Sequence, residues 1–329
     1  MKKFIIRVLA ILSPFAAIVA TLVFSAYKTE IGVLKNDLQC PTNIVAAVIG
    51  DSRVEVYFDP EVLPWMRNFG LSATPISITA HKARLVAEQN PHLKCIIIDV
   101  WPSKFFSTLK KPFTEAVPDS ASLIELMTRQ DMPPFGEGFE TRVSSGVLKP
   151  AISHILRGRD DAKSGLTGGF FENKKSLVER LKSSDEYDTP FGPPRTPWQL
   201  KATPTDGEIV LEHLIKDLKA KGVNVVLTTT PMLWCDKRYS VEARLYFERR
   251  MHEISVEYGI PWFNWMNDYQ NELNLWADGL HMNEIGAKVF SEDKRIILET
   301  YLRNLPLTPY PRGLPRPPRR RERVQQSDR

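Results

Sequence analysis

The sequence predicts an α/β protein: three α/β/α layers around a mainly parallel sheet, with an N-terminal transmembrane helix in front. Three observations carry this expectation. Two short, unbroken apolar runs, Ile44-Val45-Ala46-Ala47-Val48-Ile49 and Cys95-Ile96-Ile97-Ile98-Asp99-Val100, have the length and composition of buried parallel strands. Segments of helical periodicity stand between such runs. Near the start, Val8 to Tyr27 is twenty residues long and carries no charge.

The elements follow in order. The run 44–49 is a strand closed by Gly50. Residues 74–90 carry Ile76, Ala80, Ala83 and Ala87 at helical spacing, and Asn90-Pro91 stops that helix. The run 95–100 is the next strand. Asp206 is placed to cap a helix bearing Leu211, Leu214, Ile215 and Leu218 and ending at Gly222. Val223 to Thr230 is a strand closed by Pro231. Residues 240–258 form a helix ended by Gly259. Residues 260–263 form a short strand, and 284–303 the last helix.

Three parts of the chain lie outside this frame. Residues 1–30 read as a membrane anchor. At about 1.5 Å per residue, the uncharged run matches the roughly 30 Å hydrocarbon thickness of a bilayer. Lys2, Lys3 and Arg7 hold its start on the cytoplasmic side. A cleaved signal peptide is the alternative. It also exports the rest of the chain, but no clear Ala-x-Ala site stands near Ser25-Ala26. The expected location is therefore the cytoplasmic (inner) membrane, single-pass, with residues 31–305 on the exported, periplasmic side. Within that domain, 101–205 is proline-rich and reads as an insertion or cap, with short helical patterns at 120–130 and 172–183. Residues 306–329 are rich in proline and arginine and are expected to be disordered.

Charge and cysteine content exclude several function classes. The net charge is +5, but the tail alone carries seven arginines against Glu322 and Asp328. The folded part is close to neutral, so nucleic acid is not an expected partner. Cys40, Cys95 and Cys235 form no C-x-x-C pair. His81, His92, His154, His213 and His252 have no metal-ligand spacing. Neither a metal nor a cofactor is expected.

The chemistry concentrates in two short motifs. In open α/β sheets, ligands bind beyond the C-terminal ends of the strands. Ser52, in Gly50-Asp51-Ser52-Arg53, stands just past the first strand. Gly-Asp-Ser also occurs in ordinary turns, so the serine needs a partner to be read as a nucleophile. Asp278-Gly279-Leu280-His281 precedes the last helix. An aspartate three residues before a histidine can turn its carboxylate onto the imidazole. A serine, a base and an orienting acid form the set that nucleophilic acyl transfer requires.

A serine after the first strand, with D-x-x-H before the last helix, resembles the SGNH hydrolase family (GDSL esterases and lipases). The resemblance covers about 43–100 and 205–303. It implies Ser52 as nucleophile, His281 as general base and Asp278 as orienting acid, with the oxyanion held by backbone N–H groups. Those donors would be Ser52 and Ala73, the latter in Asn68-Phe69-Gly70-Leu71-Ser72-Ala73, with Gly70 as the fallback. The family's Gly-x-Asn-Asp segment is replaced by Asp99-Val100-Trp101-Pro102, so the asparagine donor is missing. Loss of one such donor typically costs about 2.7–4 kcal/mol of transition-state stabilisation.

Gly-Asp-Ser-Arg followed by Phe58-Asp59-Pro60, the extended motif Asp278 to Ala287 and the anchor resemble a particular subgroup. These are exported acyl-transfer proteins of envelope polysaccharides, of the D-alanylation and alginate-acetylation kinds. The resemblance implies an acylated polysaccharide or acyl donor as substrate and a membrane-bound O-acyltransferase as partner. Arg53 and Trp276 are the candidate substrate-binding side chains, one for an anionic glycan and one for sugar stacking.

Overall fold

The computed structural model describes residues 37–72, 74, 76–105, 177–178, 205–233 and 239–305, together with Ser13, Pro14 and Thr21. Most of the expected anchor, all of 306–329 and most of 101–205 fall outside these residues. Among the described residues, no helix is long and apolar enough to cross a membrane.

Five strands form one parallel sheet: β1 (Ala46–Gly50), β2 (Met66–Gly70), β3 (Cys95–Asp99), β4 (Asn224–Thr229) and β5 (Trp262–Asn264), in the order β2-β1-β3-β4-β5. The helices are α1 (Ser52–Tyr57), α2 (Ile76–Gln89), α3 (Pro102–Phe105), α4 (Asp206–Ala220), α5 (Val241–Tyr258) and α6 (Glu284–Asn304). The expected α/β class and parallel sheet are therefore present.

The period-2 alternation of each strand divides the core in two. Ala47, Ile49, Ile96, Ile98, Val225 and Leu227 pack with Ala83 of α2, Leu211 of α4 and Phe247 of α5. On the other face, Ala46, Val48, Ile97 and Val226 pack with Tyr57 of α1 and Phe290 and Leu298 of α6. Each central strand is buried on both faces, which is why the sequence shows continuous apolar runs there.

Several boundaries differ from expectation. β2 was not anticipated, because Met66-Arg67-Asn68-Phe69-Gly70 has no apolar run. It is the edge strand beside β1, and Arg67 reaches out to the carbonyls of Asp37 and Gln39. Thr205, not Asp206, caps α4: its hydroxyl accepts from Glu208 N while the Glu208 carboxylate accepts from Thr205 N. β5 begins two residues later than the expected 260, at Trp262. Gly259 ends α5 in the left-handed conformation, φ 58°, as a C-terminal glycine should.

Strand order places the site. From β1 the chain crosses to β2 on one side and then returns to β3 on the other. The crevice between the C-terminal ends of β1 and β3 is the topological switch point of the sheet.

Candidate active site

Ser52 is the first residue of α1, directly beyond β1. The turn is tight enough to demand glycine at 50: a Cβ there would lie 2.3 Å from Val54 Cγ2. Asp51 caps the helix, its carboxylate accepting from Arg53 N at 3.1 Å. At the first helical position the Ser52 N–H has no intrahelical acceptor.

The second motif folds as a short loop between the antiparallel bridge partners Trp276 and Met282. Ala277 N donates to the His281 carbonyl at 2.9 Å. Asp278 Oδ1 accepts from Leu280 N at 2.8 Å and His281 N at 3.0 Å. Asn283 caps α6 by accepting from Gly286 N at 2.9 Å and donates back to the Asn274 carbonyl at 2.7 Å. The loop is thus pinned at both ends.

The two motifs meet. The Ser52 hydroxyl lies 2.8 Å from His281 Nε2, and His281 Nδ1 lies 3.0 Å from each carboxylate oxygen of Asp278. A carboxylate accepts, so Nδ1 carries the imidazole proton and the Nε2 lone pair faces the serine. Burial works to raise the Asp278 pKa. The hydrogen bond and charge of His281, with the two backbone N–H groups, outweigh it and hold the carboxyl below its ordinary range. Ser52 and His281 are half-buried, within reach of a ligand.

Beneath Ser52 lies a buried charge network that the sequence did not disclose. The Arg53 guanidinium donates to Asp99 Oδ2 at 3.1 Å, approaches Asp51 and stacks over the Trp101 ring, 4.1 Å from its centroid. Trp101 Nε1 donates to Asp51 at 2.7 Å, and Lys104 Nζ pairs with Asp51 at 3.1 Å. Burial works against the Asp51 charge, but Lys104 and Arg53 overcome it and bring its pKa down to about 2. Asp99 also accepts from Thr230 N at 2.9 Å. Its position at the end of β3, where the sequence lacks the expected donor segment, serves to fix Arg53.

Three other candidates take different places. Gly70 N donates to Asn68 Oδ1 at 2.8 Å, so this N–H is already engaged and the fallback oxyanion donor is withdrawn. The Asn68 amide in turn donates to the carbonyls of Val54 and Phe58. Arg53 is 1% exposed and Trp276 0%, so neither offers surface to a glycan. The indole N–H of Trp276 is spent on the Tyr269 carbonyl at 3.1 Å. Ala73 lies outside the described residues.

Tyr57 is the residue that sequence reasoning missed closest to the chemistry. Its buried hydroxyl stands 2.8 Å from the Pro231 carbonyl and 3.1 Å from that of Leu280, next to His281. It ties α1, which carries Ser52, to the loop that carries His281. The sequence carries no periodic signal for it, since Tyr57 is five residues from Ser52 and three- or four-residue spacing is what puts side chains on one helix face. Leu177, from within the expected insertion, also reaches this region and donates its N–H to the Trp276 carbonyl at 2.7 Å.

Searches against protein-family models and curated proteins returned no match for this chain. The functional reading therefore rests on the site itself. Ser52, His281 and Asp278 are in hydrogen-bonding contact at the mouth of a parallel sheet, an arrangement suited to acyl transfer through a covalent serine ester.

Proposed function

We propose that this chain is a serine-dependent O-acyltransferase or esterase of the SGNH kind, acting on a cell-envelope polysaccharide. The observation that carries the reading is the unbroken hydrogen-bonded line Ser52–His281–Asp278. His281 Nε2 takes the hydroxyl proton as Ser52 Oγ attacks an ester or thioester carbonyl. The oxyanion forms beside the free N–H of Ser52, with Ala73 N–H as the proposed second donor. The tetrahedral adduct collapses, the leaving group departs with the proton from His281, and an acyl-serine remains. A sugar hydroxyl or water then gives its proton to His281 as it attacks the acyl carbon, and His281 passes that proton to Ser52 Oγ as the serine ester breaks.

The uncharged N-terminal run supports a single-pass anchor in the cytoplasmic membrane, with the catalytic domain on the exported side. Acetyl is the proposed acyl group, and a membrane-bound O-acyltransferase the proposed partner. Incubating full-length protein with nitrophenyl acetate and a glycan acceptor tests this. Transfer yields acylated glycan, whereas a plain carbohydrate esterase or lipase yields free acetate alone.

One observation favours a second reading. Asp99 is committed to Arg53, and the family's asparagine donor has no counterpart among the described residues. A chain short of an oxyanion donor suits a non-catalytic assembly or glycan-binding partner of such an acyltransferase. A fluorophosphonate probe separates the two readings: Ser52 labels in an enzyme and stays unlabelled in a scaffold.

A further inference from the structure

Within α1, four of six side chains are buried; Ser52 and Glu55 are the two that are not. Residues three apart on a helix share a face, with Cβ atoms about 5–6 Å from each other. Glu55 therefore stands one turn from Ser52, on the face of α1 that is left open. Its carboxylate accepts a hydrogen bond from the exposed Ser72 hydroxyl, at the end of the β2 segment that leads to residue 73. Gly70 packs onto its backbone so closely that a Cβ there would lie 2.2 Å from Glu55 N. Glu55 is thus held between Ser52 and Ser72, within electrostatic reach of the His281 imidazole.

The cations near Glu55 do not balance it at the surface. Arg53 is buried against Asp99 and Asp51, and Lys104 against Asp51. Lys82 of α2 is fully buried, its ammonium donating to the Phe69 carbonyl at 2.7 Å. Among the described residues around Ser52, the acidic side chains that reach solvent are Glu55 and Asp278, and Asp278 is engaged by His281. Burial pushes the Glu55 carboxyl above its ordinary range, against the Ser72 hydrogen bond and the attraction of Lys82 and His281; ionised, it is the acidic group on the open face of α1 beside Ser52.

We propose that Glu55 is a specificity-determining residue that sorts acyl groups by charge, admitting cationic and neutral ones and turning away carboxylate-bearing ones. This inference rests on the serine-nucleophile reading above. A like charge held within a few ångströms at a partly desolvated wall changes relative rates by about tenfold or more.

The test uses full-length protein and three nitrophenyl esters: acetate, and the two charged esters hemisuccinate and β-alaninate, which are comparable in length. Rates are compared as kcat/KM after correction for intrinsic reactivity, for wild type, Glu55→Gln and Glu55→Lys. Each variant is also titrated with a fluorophosphonate probe. The expected wild-type order is β-alaninate, acetate, hemisuccinate. Glu55→Gln compresses the spread between the charged esters about tenfold, and Glu55→Lys reverses their order. Labelled Ser52 with the same ratios in all three proteins overturns the role of Glu55 alone. Absent labelling and absent turnover in wild type overturn the serine-nucleophile reading, and this proposal falls with it.

Discussion

Ser52 Oγ and His281 Nε2 are 2.8 Å apart although 229 residues separate them in sequence. One belongs to the turn after the first strand, the other to the loop before the last helix. The parallel sheet brings both to one edge.

Removing either partner should abolish acyl chemistry. Ser52→Ala and His281→Ala are each expected to lower kcat by about 10⁴-fold or more. Both side chains are half-exposed, so unfolding midpoints should move little. Wild-type turnover in either variant would overturn the reading of Ser52 as the nucleophile.

Asp278→Asn tests the orienting acid. The amide can offer its NH2 group to Nδ1, which favours the wrong imidazole tautomer, so kcat should fall by about 10³–10⁴-fold with KM little changed. Fluorophosphonate labelling of Ser52 should slow in parallel.

Tyr57→Phe should act through position. It removes the hydroxyl near the Pro231 and Leu280 carbonyls and leaves the ring's packing on Phe290. A stability loss of about 1–2 kcal/mol is expected. The base loop loses its tie to α1, so kcat should drop about tenfold, more than KM changes. A stability loss with unchanged kcat would reduce Tyr57 to a packing role.

Lys82 gives a pH signature. Burial lowers its pKa from 10.5 to about 7, partly opposed by Glu55. The unfolded chain then binds more protons between pH 7 and 10.5, so this group makes stability rise with pH across that window. Below about pH 7 the ammonium is charged in both states and its burial cost is fully present. Lys82→Met should therefore be more stable than wild type by a few kcal/mol near pH 6. That gain should shrink toward pH 10, measured by urea unfolding. A gain independent of pH would place the effect elsewhere.

Asp51 should produce the opposite trend in acid. Its folded pKa of about 2 lies below the ordinary 3.8. The stability it contributes, about 2 kcal/mol, is present above pH 4 and lost as pH falls toward 2. Asp51→Asn should remove this acid dependence. It should also destabilise at neutral pH by about 3–5 kcal/mol, since Lys104 loses its buried partner.

Much of the frame was legible in the residues. The runs ending at Ile49 and Val100 are strands because both their faces are buried, and burial on both faces leaves an unbroken apolar signature. Gly259 marked a helix end through local backbone chemistry. β2 escaped because an edge strand carries few apolar residues. Lys82 left a faint signal: it falls on the stripe of Ile78 and Val86, where a lysine is out of place.

The sequence by itself determined the α/β class of the fold and singled out Ser52, Asp278 and His281 as a set, because these depend on local spacing and chain order. Only the tertiary structure decided what the neighbouring polar groups do. Arg53 points into Asp99 rather than toward substrate, the Gly70 N–H is spent on Asn68, and Trp276 is core. These outcomes turn on which distant group lies within about 3 Å of a given donor, a distance set by strand order and packing. No linear pattern encodes it.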